Sequence, residues 1–333
     1  MNIRKIKLPE DFDVLSEMML NTFQYPENPD WSIQEDEKEE FTRMIKSFKK
    51  TWPLINLLGL FSKGIKNLIV GSIAEENGIP MGVIIYQQKG TTNNWYISTV
   101  GVLPEYRRRG IARKLVETGI EHMRELGAKI ISLDVISGNL PAYSLYKDVG
   151  FSHFSGLVEM HLNPDFINHV NELPKEVEMI DLALFDWQPR YDLFDLITPD
   201  EVKKYEPIEV GRFKQPAVMR IILPIILFAQ GINKIYQLVQ VNGEIVGRLS
   251  IDIKKKPGGK HNISLYLDED HADLGVKLIE YGLEKINETG IEKKVSTGVS
   301  QWQPHVIETF KRTGFEIKVE GHRLGLLVKN EEK

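Results

Sequence analysis

Apolar residues along the chain fall into short runs that alternate in and out and longer runs at helical spacing. Leu68–Glu75, Met81–Gln88 and Trp95–Val102 read as strands, joined by Ile3–Lys7, Lys129–Ile136 and Ser152–Leu162. Helices are predicted from Pro9 to about Asn21, over Glu35–Ser47, from Gly110 to about Leu126 and over Leu140–Val149. This order predicts a mixed α/β fold, a sheet covered by helices. Two runs are apolar throughout, Leu54–Phe61 and Ile221–Phe228. Both are far shorter than the ~20 residues that span a bilayer, and Pro224 interrupts the second.

The pattern occurs twice. Asn-Gly between apolar runs marks a hairpin whose turn residues both take positive φ, and it stands in NGIPMGV at 77–83 and in NGEIVGR at 242–248. KLVETGIEHMRELG at 114–127 matches KLIEYGLEKINETG at 277–290, each ending on a glycine where a helix stops. DVGF at 148–151 matches RTGF at 312–315. The offsets are 165, 163 and 164, too constant for chance. Two copies of one fold are therefore expected, over 1–163 and 175–333, with the boundary in the polar stretch Asn163–Pro174. The start of the second copy, 175–235, has no clear rhythm.

Length agrees, since 333 residues exceed what one hydrophobic core usually serves. A net charge of -5 provides no global basic field for nucleic acid. With no cysteine, disulfides, thiolate metal sites and cysteine nucleophiles are excluded. The eight histidines are scattered; His153 and His161 share a strand face, but polar surface groups explain them and no metal is expected. The N-terminus has no apolar core of a signal peptide, so a cytoplasmic enzyme with no membrane partner fits.

The most informative segment is VGVLPEYRRRGIARKLV, 100–116. A strand ends near Val102, Pro104 stops its pairing, and Arg107, Arg108, Arg109 and Gly110 open a long helix. A helix start offers unpaired N–H groups and partial positive charge, which suits phosphate. Gly110 and Ala112 let a bulky anion approach the backbone, and Arg113 adds charge. A solvated basic helix cap would share this composition.

Arg107, Gly110 and Ala112 place an Arg-x-x-Gly-x-Ala run that resembles the pyrophosphate-binding signature of the GNAT family of N-acetyltransferases. The resemblance covers residues 1–162 and implies acetyl-CoA as cofactor. It implies that the strand end Val100–Val102 pairs with the pantetheine arm and that amides from Arg108 through Ile111 and Ala112 to Arg113 cradle the pyrophosphate. Downstream, DVISGNLPAYSLYKDVGF at 134–151 resembles a second family element. There Asn139 and Ala142 are expected at the cofactor, and Tyr146 stands at the general acid that protonates the departing thiolate. A phenol, of pKa about 10, can lend a proton to a thiolate of similar basicity. The bland alternative for Tyr146 is helix packing with Ala142 and Val149.

The second copy keeps the apolar framework and loses the polar chemistry. Asp270, Asp273 and Gly275 stand at the positions of Arg107, Gly110 and Ala112, and Gln303 and Phe310 at those of Asn139 and Tyr146. Acidic residues at a helix start repel pyrophosphate. A degenerate GNAT-like domain is expected, in a tandem arrangement that resembles the mycothiol synthases and other two-domain GNAT proteins.

The resemblance therefore implies direct acetyl transfer to an amine, on a small molecule or a peptide. The backbone N–H of Val102 is a candidate to polarise the thioester carbonyl. No general base is readable: Asp134, Glu159 and His161 sit on strands that could border a cleft, and a water relay would also serve. The acceptor is expected near 21–67, which holds Phe23, Tyr25, Trp31, Phe41, Phe48 and Trp52 and the acidic Glu35, Asp36, Glu37, Glu39 and Glu40. WPLINLLGLF there suggests either an apolar lid or an ordinary core helix. Two alternatives remain, a non-catalytic acyl-CoA sensor and a transferase of longer acyl chains, and a homodimer stays open.

Overall fold

The computed structural model describes residues 1–25, 29, 32–33, 35–60, 66–163 and 172–328. Trp31 and most of the expected boundary segment lie outside them. Contacts divide the chain into two compact units, one of Met1–Phe154 with His322–Lys333 and one of Ser155–Gly321.

In the first unit, β1 (Asn2–Lys5), β2 (Val70–Glu76), β3 (Ile79–Gln88), β4 (Asn94–Val102) and β5 (Ile130–Ile136) follow one another across the sheet. The sixth place is taken by the end of β12 (Glu316–Leu327), from His322 onward. The β2–β3 turn has the expected hairpin form, with Asn77 at φ 53° and Gly78 at φ 80°. Alternation along β3 sends successive residues to opposite faces. Ile84 and Tyr86 meet α3 (Ile111–Glu125), which buries Ile111, Leu115, Val116, Ile120 and Met123. Val83 meets Leu15 and Met18 of α1 (Phe12–Thr22). Leu324 of β12 is fully buried in the α3-side core. Arg4 grips Asp11 through both guanidinium nitrogens, at 2.7 and 2.9 Å, and so fixes β1 against the start of α1.

The second helix is longer than its spacing predicted. α2 runs Glu35–Gly59 with Pro53 inside it. Trp52 and Ile55 pack on Phe12, while Leu54, Leu57 and Leu60 are exposed. The apolar segment is thus half core and half surface. Pro53, a usual helix breaker, obscured it in the sequence.

In the second unit the strands follow the order β12 (its residues 316–321), β6, β11, β10, β9, β8, β7. These are β6 (Ser152–Leu162, from Ser155), β7 (Val177–Asp181), β8 (Ile232–Val241), β9 (Glu244–Lys254), β10 (His261–Leu267) and β11 (Val295–Ser300). α9 (Gly275–Asn287) and α10 (Pro304–Arg312) cover one face. The stretch that had no readable rhythm forms α5 (Gln188–Ile197), the short α6 (Asp200–Lys203) and α7 (Val210–Phe213), and α8 (Met219–Gln230). α8 carries the apolar run with Pro224 inside, and Ile221, Ile225 and Phe228 are exposed on it.

Candidate active site

The site begins with a fault in the sheet. β4 and β5 run parallel but pair only over Asn94–Ile97 against Ile130–Leu133. Beyond this, β4 keeps its partners on β3, from Thr99 with Ile85 to Val102 with Gly82, and has none on β5. Ser98 is one residue too many against β3, a bulge that bends the strand. The strands therefore diverge, and peptide groups of β4 line one side of a wedge. Val100 and Val102 stand there with their side chains partly buried in the α3-side core. Gly101 permits this path, because a Cβ on it would lie 2.6 Å from Thr22 Oγ1.

At the mouth of the wedge lies the arginine loop. A 3₁₀ turn, Pro104–Tyr106, leads to extended Arg107, then Arg108 at φ 64° and Gly110 at φ 75°. Residues of alternating hand turn successive amides into a concavity. After Arg107, whose amide reaches Pro104 O, the next amide to reach a backbone carbonyl is that of Lys114, to Gly110 O at 3.2 Å. Among the described residues, those of Arg108, Arg109, Gly110, Ile111, Ala112 and Arg113 reach none. A Cβ on Gly110 would meet nothing within 4 Å, so the space before the helix is open. The residues thus fit a diphosphate: free amides, a helix start and no obstructing side chain.

The arginines divide in role. Arg107 does not point into the concavity. Its Nε donates to Val102 O at 3.2 Å, its second nitrogen donates to Thr22 O at 3.1 Å, and it lies over the Tyr25 ring. It braces the end of β4 against the last turn of α1. Arg113 is tied to Asp148 at 2.7 Å, and Arg109 covers Tyr106 and reaches Glu105 O. Arg108 is exposed. Ile111 gives its side chain to the core, leaving only its amide to a ligand.

Tyr146 sits on α4 (Leu140–Asp148), 7% exposed, with its ring against Phe151. Burial, with a smaller contribution from Tyr25, pushes its phenol well above the ordinary value, so Tyr146 is protonated across the neutral range. Tyr25 was only one of several aromatics in the sequence, and nothing singled it out. The structure places it under Arg107 and within electrostatic reach of Tyr146. Asn139 caps α4, its Oδ1 accepting from Ala142 N at 3.3 Å, and Ala142 packs on the core. Of the three strand residues considered as a base, Asp134 accepts from Arg323 Nε at 2.8 Å and Tyr96 Oη at 3.1 Å. Glu159 and His161 lie on the part of β6 that belongs to the second unit.

In the second unit the corresponding wedge is plugged. β10 and β11 pair only at His261–Val295 and Asn262–Ser296, then separate. Leu267 O, at the end of β10, accepts from the buried Gln303 at 3.3 Å and bonds with His305 Nε2 at 2.9 Å. Gly275 is right-handed at φ -53°, and a Cβ on it would lie 2.7 Å from Thr309 Oγ1 of α10. The helix start therefore packs on protein instead of facing open space.

A diverging parallel strand pair with an unpaired helix start at its mouth is the arrangement that the resemblance to GNAT acyltransferases implied. Residues 27–151 match the Acetyltransferase (GNAT) family. The chain carries a domain of that family over those residues and is an enzyme of the acyltransferase class. It is 29% identical over 135 residues to N-alpha-acetyltransferase 30 of Schizosaccharomyces pombe, covering 39% of this chain and 80% of that protein. It is 31% identical over 117 residues to N-alpha-acetyltransferase 20 of Dictyostelium discoideum, covering 32% of this chain and 65% of that protein. Across 98% of its length it shares the fold of a GCN5-related N-acetyltransferase from Sphaerobacter thermophilus, 96% of which is covered (TM-score 0.65, 12% identity). Over 99% it shares that of a tandem GNAT protein from the clavulanic acid biosynthesis pathway, all of which is covered (TM-score 0.60, 12% identity).

Proposed function

We propose that the first unit transfers an acetyl group from acetyl-CoA to an amine, and that the second is a degenerate copy without a coenzyme site. The observation that carries this is the run of unpaired amides from Arg108 to Arg113 at the mouth of the β4 wedge. When bound, acetyl-CoA would supply an activated thioester acyl group. The loop amides would hold its diphosphate, and the free edge of β4 its pantetheine. The N–H groups of that edge are preorganised donors for a developing oxyanion. Tyr146 holds a proton at Oη and is the candidate to deliver it to the departing thiolate. Among acceptors, the α-amine of a peptide has the first claim, because the relatives are named for N-alpha-acetylation.

The test is release of CoA thiol from acetyl-CoA across peptide and small amines. Gly110→Asp sets a carboxylate among the free amides, where the second copy has Asp273, and is expected to lower CoA affinity by about 100-fold or more. Unchanged affinity would remove the loop from the site.

A further inference from the structure

The second unit has an arginine where the first has a core aliphatic. At the hairpin offset of 165, Arg248 of β9 corresponds to Val83 of β3. Val83 lies under α1 with Leu15 and Met18. Arg248 lies instead against Phe194 of α5, 5.3 Å from the ring centroid, and Tyr266 of β10, 4.9 Å away. Its neighbour Leu249 faces α9, so Arg248 is on the other face of the sheet from the α9 helix start.

Nothing neutralises this guanidinium. Arg248 Nε is shut off from solvent and donates to no acceptor, and no carboxylate pairs with Arg248 among the described residues. Burial above all pulls its pKa below the usual arginine value; Tyr266 and Tyr236 oppose this, and Arg190 and Arg212, of its own sign, add to it. Arg212 lies over the same Phe194 ring, at 5.9 Å, and over Phe213 at 5.6 Å. Arg190 is held over Tyr236 and donates to Asp186 O at 3.0 Å. Aromatic faces hold a guanidinium plane while its N–H edge stays available for an oxyanion. A half-buried cation whose Nε is closed to water and left without a counter-charge is unfavourable, so such a cluster favours an anion from outside.

We propose that the second unit binds the phosphoryl group of a small ligand on Arg248 and Arg212, with Arg190 adding field. Phosphate is preferred over a single carboxylate because it brings about two negative charges to three guanidinium groups. The site is separate from the coenzyme wedge and would give the degenerate copy a recognition role of its own.

The experiment uses full-length Gly110→Asp protein, so that the first unit's loop contributes least. Thermal stability is followed against inorganic phosphate, with chloride at matched ionic strength and succinate as controls. Phosphate is expected to raise the melting temperature above chloride and succinate. Arg248→Met and Arg212→Met are each expected to weaken the phosphate response about tenfold or more. Arg248→Met should be no less stable than its parent without phosphate, because an unpaired buried charge is gone. No phosphate-specific rise, a rise retained in both variants, or a larger rise with succinate would each overturn the proposal. If Arg248→Met fails to fold, Arg212→Met and Arg248→Lys carry the test, and Lys should also weaken binding. Acetyl transfer by the parent chain is a separate readout, so failure here leaves the first unit's reading intact.

Discussion

At the residue scale, the chemistry rests on a few groups whose neighbours fix their protonation. Tyr146 keeps its proton because burial penalises the phenolate. Tyr146→Phe should slow acetyl transfer by about 100-fold or more and leave CoA affinity within about twofold. Equal turnover would reduce Tyr146 to a packing residue. His261 is the opposite case. Buried at the start of β10, it accepts from Lys254 N at Nδ1 and bonds Ile291 O through Nε2, which suits the neutral ring. Burial, against the pull of the Ile291 carbonyl, lowers its pKa below 6.5. The unfolded chain then binds the proton more readily, so stability is full above about 6.5 and declines as pH falls toward the folded value. Urea midpoints at pH 7.5 and 5.5 measure this; a midpoint that does not fall would exclude His261 as a source of acid sensitivity. Tyr146, Gly110 and Asn139 could be named from residue type and spacing, and the structure sets Gly110 at an open helix start, Asn139 at the cap of α4 and Tyr146 buried on it. The bonds of Arg107 to the carbonyls of Val102 and Thr22 were not legible, since those carbonyls come from other elements.

At the element scale, helices and hairpins were written locally, and their failures were not. Asn77-Gly78 and Asn242-Gly243 announce their turns because few other pairs accept two positive φ angles. The bulge at Ser98 has no such mark; it exists only relative to β3, in the skipped register between Ile85 and Tyr86. Yet it opens the wedge. Deleting Ser98 should restore the register of β4, let it pair further along β5, and abolish CoA binding in a folded protein. Calorimetry with CoA, beside circular dichroism for the fold, decides this; retained binding would mean the splay has another cause. α5 to α8 were unreadable for a related reason. They are short or broken by Pro224, and α8 leaves Ile221, Ile225 and Phe228 on its surface, so no inward-facing rhythm exists to detect.

At the scale of the whole molecule, the repeat was visible in the sequence but the path of the strands was not. Each copy contributes a strand segment to the other's unit: Ser155–Leu162 of β6 to the second and β12 from His322 to the first. Periodicity marks a strand without naming its partners. A fragment cut at 163 would therefore lack Leu324, fully buried in its core, and Arg323, the partner of Asp134. It is expected to lose about 3 kcal/mol or more, or to fail to fold, and appending a linked copy of 322–328 should restore it. Denaturation curves of the two fragments check this, and a fully stable 1–163 fragment would refute it. The arrangement also bears on how the protein is born. On the ribosome the first copy emerges first, but its unit stays unfinished until the segment after His322 has been made. A stop codon anywhere in the second copy is therefore expected to weaken the first unit as severely as cutting the chain at 163 does.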